Sequence, residues 1–334
     1  MRIHLGASRA TSRPLALTIG NFDGVHLGHQ AMLHALRTAA TSLSLETGVL
    51  TFEPHPREFF ARHEAPARLT TLREKLELLQ AAAIQQVTVL RFNPTLAALS
   101  AEAFVEQWLV RHLHTRWLLV GDDFRFGARR SGDFDTLQRA GQRYGFECFA
   151  LSSILVEGVR VSSSAVRDAL AQGNLDLAQA LLGRPFSMSG RVHHGQRLGR
   201  TLGFPTANLA IQRRTPPLAG IFAVSVQGSD KKTLPLPGVA SLGTRPSVSS
   251  DGRWLLEVHL FDFNADLYGQ RLRVRFHHKI RNEQQFSSLA ELTAQMQQDA
   301  QEARAFFARA PDALGEDPAP IPNDPRPNEY RPAP

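Results

Sequence analysis

Through the first half of the chain, apolar runs of four or five residues alternate with longer stretches in which apolar side chains recur every three or four positions. The runs at 15–19, 49–52, 87–90, 117–120 and 147–151 read as strands, and the stretches at 30–41, 72–83, 101–112 and 134–144 as helices. Strand–helix alternation predicts a Rossmann-like α/β fold, a parallel sheet covered by helices on both faces. Ligands of such sheets bind beyond the carboxyl ends of the strands. After Leu181-Leu182 the texture changes, and Gly183-Arg184-Pro185 supplies a helix stop followed by a breaker. Short β-rich runs at 221–226, 238–242, 255–263 and 272–276, punctuated by Gly and Pro, predict a small antiparallel barrel. Ser288-Leu289-Ala290-Glu291 reads as a capping box opening a final helix, whose apolar face is Leu289, Leu292, Met296, Ala300, Ala303 and Phe307. Beyond Ala310 the chain is rich in proline and acid, the composition of a disordered tail. The expected domains are therefore residues 1–184 and 185–310, with 311–334 as a tail.

Length and composition agree with two domains. The chain has 334 residues, 43% of them hydrophobic, enough for two cores. No apolar run approaches the roughly 20 residues of a membrane span, and the start, Met1-Arg2-Ile3-His4-Leu5, lacks the apolar region of an export signal. The single cysteine, Cys148, excludes an internal disulfide and fits a reducing cytoplasm. It falls in a predicted strand, where a buried inert thiol is expected. The net charge of +7 suits polyphosphate ligands and would equally suit nucleic acid. The arginines are scattered rather than gathered in a stripe, so neither a nucleic-acid nor a membrane partner is expected. A homo-oligomer is left open.

The most informative stretch is Thr18-Ile19-Gly20-Asn21-Phe22-Asp23-Gly24-Val25-His26-Leu27-Gly28-His29-Gln30. A buried strand runs into a glycine-punctuated turn, and two histidines three residues apart flank the start of a helix. Free backbone N–H groups and the helix dipole favour an anion there, and imidazole N–H donors can hold phosphate oxygens as charge builds. His-x-Gly-His is the arrangement of nucleotidyltransferases. Two readings compete: half of a zinc site, which no cysteine pair or His/Asp cluster completes, and ordinary surface residues on a turn. Further along, Thr51-Phe52-Glu53-Pro54-His55-Pro56 leaves its strand through two prolines, a stiff loop able to present Phe52 or His55 to a ring system. Gly121-Asp122-Asp123-Phe124-Arg125-Phe126-Gly127 leaves another, and Ser162-Ser163-Ser164-Ala165-Val166-Arg167 opens a helix with hydroxyls and an arginine.

In the second half, Gly190–Arg200 is glycine-rich and leads into Thr201-Leu202-Gly203-Phe204-Pro205-Thr206-Ala207-Asn208. Glycines such as Gly195 and Gly203 let backbone amides approach phosphates. The Thr206 hydroxyl and the Asn208 side chain could ligate a hard cation such as Mg²⁺. On residues alone this is either a Gly-rich hairpin or a phosphate site; the Gly-Lys-Ser/Thr pairing of a Walker motif is absent. In the strand at 255–263, alternation places Leu256, Val258 and Leu260 on one face and Glu257 and His259 on the other. A carboxylate there could take a hydroxyl proton during phosphoryl transfer.

With these residues together, the chain resembles the bifunctional bacterial riboflavin kinase/FAD synthetase family over residues 1 to about 308. Gly20–His29 reads like its N-terminal signature, Gly203–Asn208 like its phosphate and Mg²⁺ segment, and Glu257–Phe263 like the strand carrying its general base. Lys279-Ile280-Arg281-Asn282-Glu283, then Phe286, resembles the segment that closes over the isoalloxazine. The resemblance implies ATP-dependent phosphorylation of riboflavin to FMN, then adenylylation of FMN to FAD with Mg²⁺ at both sites. It implies that His26 and His29 stabilise ATP phosphates in a loop including Gly20, Phe22 and Asp23, and that Asp123 and Phe124 lie near the flavin nucleotide. Ser163, Ser164 and Arg167 would help hold ATP, with Ser164 standing where the family often has threonine. Gly195, Gly203 and Pro205 would shape the second nucleotide site, Thr206 and Asn208 hold Mg²⁺–ATP, Glu257 activate the ribityl 5′-hydroxyl, and Arg281 contact flavin or nucleotide. His193 and His194 match no assigned role and are expected as loop residues.

Overall fold

The computed structural model describes residues 1–6, 13–61, 64–195, 202–228, 235–244 and 254–315. Its described residues form two compact units, one built from Met1–Pro66 and Leu72–Ser162, the other from Ala67–Thr71 with residues 163–315.

The first unit holds a six-stranded sheet in the order β1-β4-β3-β2-β5-β6, with β1 Arg2–Leu5, β2 Leu15–Ile19, β3 Glu46–Glu53, β4 Gln86–Arg91, β5 Thr115–Gly121 and β6 Glu147–Leu151. All five pairings are parallel. Alternation along β2 feeds two cores: Leu15, Leu17 and Ile19 pack on one face with Phe104, Leu109 and Leu137, and Ala16 on the other with Leu33, Leu36 and Leu79. Helices α1 (Leu27–Ser42), α3 (Leu72–Ala81), α5 (Ala101–Phe104) with its continuation Val105–His112, and α6 (Phe134–Tyr144) supply these partners, with short turns α2 (Pro56–Phe60) and α4 (Pro94–Ala97) between strands. The helix expected at 101–112 is present, but Val105–His112 winds as a π-helix. From β2 the chain steps to β3 on one side, while β5 lies on the other. The turn after β2 therefore sits where the strand order reverses, the place where open α/β sheets bind ligands.

In the second unit, α7 (Ser163–Gln172) and α8 (Leu175–Leu182) precede a closed antiparallel barrel ordered β10-β13-β12-β11-β14-β9. Its strands are β9 Phe186–His193, β10 Ala207–Ala210, β11 Gly220–Gly228, β12 Leu236–Thr244, β13 Trp254–Leu260 and β14 Arg271–Arg281; a two-residue hairpin, β7–β8, lies in the first unit at 155–160. The inner layer includes Met188, Leu209, Phe222, Val224, Leu256, Val258, Val274 and Phe276. Helix α9 (Leu289–Arg309) starts with Ser288 accepting from the Glu291 N–H, as the capping box requires. Its Ala300, Ala303 and Phe307 pack with Ala223 of β11 and Phe261.

Three expectations need correction. The strand at 255–263 ends at Leu260, because Asp262 turns the chain at φ +53. His193 closes strand β9 instead of lying in a loop, and His194 beyond it stacks on Tyr268 at 3.9 Å. The first residues past Ala310 form a 3-10 turn, Pro311–Leu314, whose Ala313 and Leu314 pack against the cluster around Phe307, so apolar contact extends the ordered unit. The expected tail at 316–334 and Gln196–Thr201 of the glycine-rich segment lie outside the described residues.

Candidate active sites

In the first unit, β2 delivers the chain into a turn with Phe22 at φ +48, Gly24 at +84 and Val25 at +42. Such left-handed backbone is costly away from glycine and is held here by packing. Phe22 is fully buried, its ring 4.9 Å from that of His29. His26 caps α1: its Nδ1 accepts the His29 N–H at 3.3 Å. Because Nδ1 accepts, the proton of a neutral His26 sits on Nε2, which is then the donor. The two rings stack at 3.7 Å and 19°, and Gly28 leaves room for them, since a Cβ there would lie 3.2 Å from the His26 ring. Asp23 in the same turn is buried. The structure thus brings Gly20, Phe22, Asp23, His26 and His29 together at the start of a 16-residue helix.

Neighbouring strand ends complete this edge. After β5, Asp123 pairs with Arg160 at 2.8 Å and Phe124 stacks on Phe126 at 5.6 Å. After β3 and β4, Phe52, Phe59, Phe60 and Phe92 make edge-on contacts with centroids 5.2–5.9 Å apart, and Phe60 stands 70% exposed. Of this aromatic group only Phe52 is singled out by sequence; a Phe-Phe pair one turn beyond Pro54-His55-Pro56 was the available signal. Lys75, buried in α3, reaches the Thr51 hydroxyl at 3.4 Å, and that hydroxyl donates to the Asn21 carbonyl at 3.3 Å. A lysine on the apolar stripe of α3 marks it in the sequence. Ser163, Ser164 and Arg167 belong to α7 in the second unit, where Arg167 Nε donates to the Ala67 carbonyl at 2.6 Å.

The barrel carries a cavity of about 360 Å³. Thr206, Asn208, Glu257, His259, Arg281 and Phe286 line it. Strand register explains the grouping: Asn208 of β10 lies directly opposite Glu257 of β13, which lies opposite Ser241 of β12. As alternation requires, Leu256, Val258 and Leu260 are buried while Glu257 and His259 are half-buried on the other face. Asn208 is 8% exposed, and among the described residues its Oδ1 has no hydrogen-bond partner. Gly195 passes so close that a Cβ there would meet the Asn208 amide. Gly203 takes φ +83 just before the Phe204-Pro205-Thr206 segment. Arg281 is gripped by Asp299 of α9 through Nε and Nη2 at 2.8 and 2.7 Å and passes over the Phe286 ring at 5.7 Å. Asp299 was missed by sequence, although 296, 299, 300 and 303 lie on one helix face and an acid there is out of place. Glu283 also lines the cavity, against Gly243, and burial raises its carboxyl above the usual range.

A model of FAD synthetases matches residues 8–165, and a model of riboflavin kinases matches residues 182–307. The chain belongs to the bifunctional riboflavin kinase/FMN adenylyltransferase family. Among proteins of that name, the Escherichia coli K12 protein is 52% identical over 300 residues, covering 90% of this chain and 95% of that one. The Pseudomonas fluorescens protein is 49% identical over 300 residues, covering 90% and 95%. The Haemophilus influenzae protein is 48% identical over 292 residues, covering 87% and 94%. A crystal structure from Streptococcus pneumoniae, described as a macrolide-efflux protein, superposes with a TM-score of 0.78 at 27% identity, covering 91% of this chain and 99% of that one. Among the described residues, no helix is long and apolar enough to cross a membrane. The two model matches fall on the two sites: the first takes in the paired imidazoles, the second the barrel cavity.

Proposed function

We propose that the two family activities run at separate sites in this chain: riboflavin is phosphorylated in the barrel cavity, and FMN is adenylylated at the His26/His29 turn. Riboflavin kinase and FMN adenylyltransferase activities, giving FMN and then FAD, follow from family membership over both halves. The observation that best supports the placement is the orphaned Asn208 oxygen, buried beside the Glu257 carboxylate in one cavity.

In the kinase reaction Glu257 takes the proton of the ribityl 5′-hydroxyl as that oxygen attacks the γ-phosphorus of ATP and ADP leaves. Thr206 and Asn208 fit a hard cation, because both offer neutral oxygens and Asn208 Oδ1 is buried with no partner among the described residues. Mg²⁺ bound there would neutralise charge on the transferring phosphate. Gly195 and Gly203 let the backbone approach the nucleotide, Pro205 stiffens the segment between them and Asn208, and Arg281 with Phe286 faces the flavin.

In adenylyl transfer a phosphate oxygen of FMN attacks the α-phosphorus of the second ATP and pyrophosphate leaves. His26, through Nε2–H, and His29 hold the phosphate oxygens as charge shifts to pyrophosphate, at a helix N-terminus already favourable to anions. Gly20, Phe22 and Asp23 shape that turn, and Asp123 and Phe124 stand near the flavin nucleotide. The exposed Phe60, with the half-buried Phe59 against it, offers a face for the isoalloxazine. Family resemblance alone makes Ser163, Ser164 and Arg167 nucleotide contacts and assigns Mg²⁺ to this reaction too. Residues 1–184 and 185–310 are taken as the functional domains, and the lone cysteine supports a cytoplasmic setting.

The test is product analysis. With riboflavin, ATP and Mg²⁺, Glu257→Gln should yield neither FMN nor FAD, yet convert supplied FMN to FAD. His26→Ala combined with His29→Ala should accumulate FMN. Loss of both activities in either folded variant would overturn the division of labour.

A further inference from the structure

We propose that His259 is a positioning residue for phosphoryl transfer, its ring N–H holding the Pro205 carbonyl and so fixing the segment that carries Thr206 and Asn208. The inference rests on the reading of the barrel cavity as the kinase site and adds a residue to it.

The β10–β13 ladder pairs Leu209 with Leu256, Asn208 with Glu257 and Ala207 with Val258, and there it stops. The two residues that precede Ala207 are Thr206 and Pro205, and proline has no N–H with which to continue a ladder. The backbone that presents Thr206 therefore leaves the sheet just where the site needs it fixed. His259, the residue after Val258 on β13, closes this gap with its side chain: Nδ1 lies 3.0 Å from the Pro205 carbonyl oxygen. A carbonyl only accepts, so Nδ1 carries the proton and donates.

The anchor is itself held. The His259 backbone pairs with Val239 of β12, on the side of β13 away from Pro205. Its ring meets Phe204 edge-on at 5.1 Å and Phe261 at 5.9 Å. Two residues along the same strand, on the same face, is Glu257. One strand thus carries the proton acceptor and the clamp on the cation ligands, so their separation is set by the pleat of a sheet instead of by a loop. Because the donor atom is Nδ1, side-chain replacements can isolate it. The amide nitrogen of asparagine falls near the place of Nδ1, and that of glutamine near Nε2.

The experiment compares His259→Asn, His259→Gln and His259→Phe in the full chain, with Glu257→Gln alongside. Riboflavin phosphorylation is followed at varied Mg²⁺–ATP and varied riboflavin, and hydrogen–deuterium exchange of a peptide spanning 204–209 is measured without ligand. Removing one such hydrogen bond should raise the KM for Mg²⁺–ATP about tenfold in the Gln and Phe variants. The riboflavin KM should move by less than about threefold. Exchange of the 204–209 peptide should quicken in the same two variants, and His259→Asn should stay near wild type in both measurements. Wild-type behaviour of His259→Gln with impairment of His259→Asn would move the role to Nε2 and overturn the proposal. So would equal rises in both KM values, or unchanged exchange in the Gln variant. If Glu257→Gln phosphorylates riboflavin normally, the kinase-site reading itself falls; if it is inactive while His259→Gln matches wild type throughout, only the role of His259 falls.

Discussion

Replacing Asp299 by alanine tests how the barrel cavity is braced. The carboxylate is 4% exposed and accepts three bonds: from Arg281 Nε and Nη2 at 2.8 and 2.7 Å, and from Gln295 Nε2 at 3.0 Å. Alanine removes all three and leaves the Arg281 guanidinium, with 19% of its side chain exposed, facing an apolar methyl. Removing one member of a fully buried pair costs about 3–5 kcal/mol. Partial exposure lets water reach the guanidinium, which puts the cost at the lower end, about 3 kcal/mol. For a unit of this size that is a fall in Tm of roughly 6–12 °C, read by calorimetry. The coupling is checked with Arg281→Met: in that background Asp299→Ala should cost less than about 1 kcal/mol, because no charge is left stranded. Since Arg281 lines the cavity, the riboflavin KM should rise in Asp299→Ala while adenylylation of supplied FMN is unchanged. A loss under about 1 kcal/mol in the wild-type background, or the same loss with and without Arg281, would refute the reasoning.

Three further expectations concern reactivity, pH and packing. Cys148 is half-buried where full burial is expected from its strand, and that burial pushes its thiol up to about 12 from 9.0. Native protein should therefore react with iodoacetamide much more slowly than the unfolded chain near neutral pH; labelling at the unfolded rate would contradict the raised thiol. Because the folded state favours the neutral thiol, stability carried by this group is present below pH 9 and falls as pH rises from there towards 12. The carboxyl of Asp262 is held below its ordinary 3.8, chiefly by hydrogen bonding from Arg304, with which it pairs at 2.9 and 3.2 Å. That contribution is present above pH 3.8 and is lost as pH falls through the lowered value, so urea midpoints of wild type and Asp262→Asn should differ at pH 6 and converge in strong acid. Phe307→Ala should destabilise the barrel by about 3–5 kcal/mol by emptying the contact between α9 and β11; a shift under about 1 kcal/mol in a denaturant titration would show that α9 is not held by this residue.

Periodicity was enough to place the central strands and the helices that face them, because both faces of a parallel sheet are buried and the apolar runs are nearly continuous. It missed β1, β9 and β10 for physical reasons. β1 is an edge strand with Ile3 and Leu5 exposed, so its polar and apolar order carries little burial signal. β10 is four residues long and follows a proline, with its identity set by partners far along the chain. The π winding of Val105–His112 changes no apolar spacing strongly enough to be read. At the sites, the residues proposed to meet ligands stood out as motifs, whereas the partners of those that brace them did not. His259, Asp299 and Lys75 are polar groups placed on apolar faces or beside the Glu257 carboxylate, and only tertiary contact tells which neighbour each one serves. Gly183-Arg184-Pro185 is a helix stop, as expected, yet α7 and α8 before it cluster with the barrel, since α8 packs on β9 and β14.

A crystal structure of the full chain with a non-hydrolysable ATP analogue and Mg²⁺ tests the central claim most directly. One triphosphate should lie against the His26 and His29 rings at the start of α1, and a second in the barrel with its cation on Thr206 and Asn208. Paired imidazoles turned away from any bound triphosphate, or a barrel cavity that takes up no nucleotide at saturating analogue, would contradict the assignment of one reaction to each site.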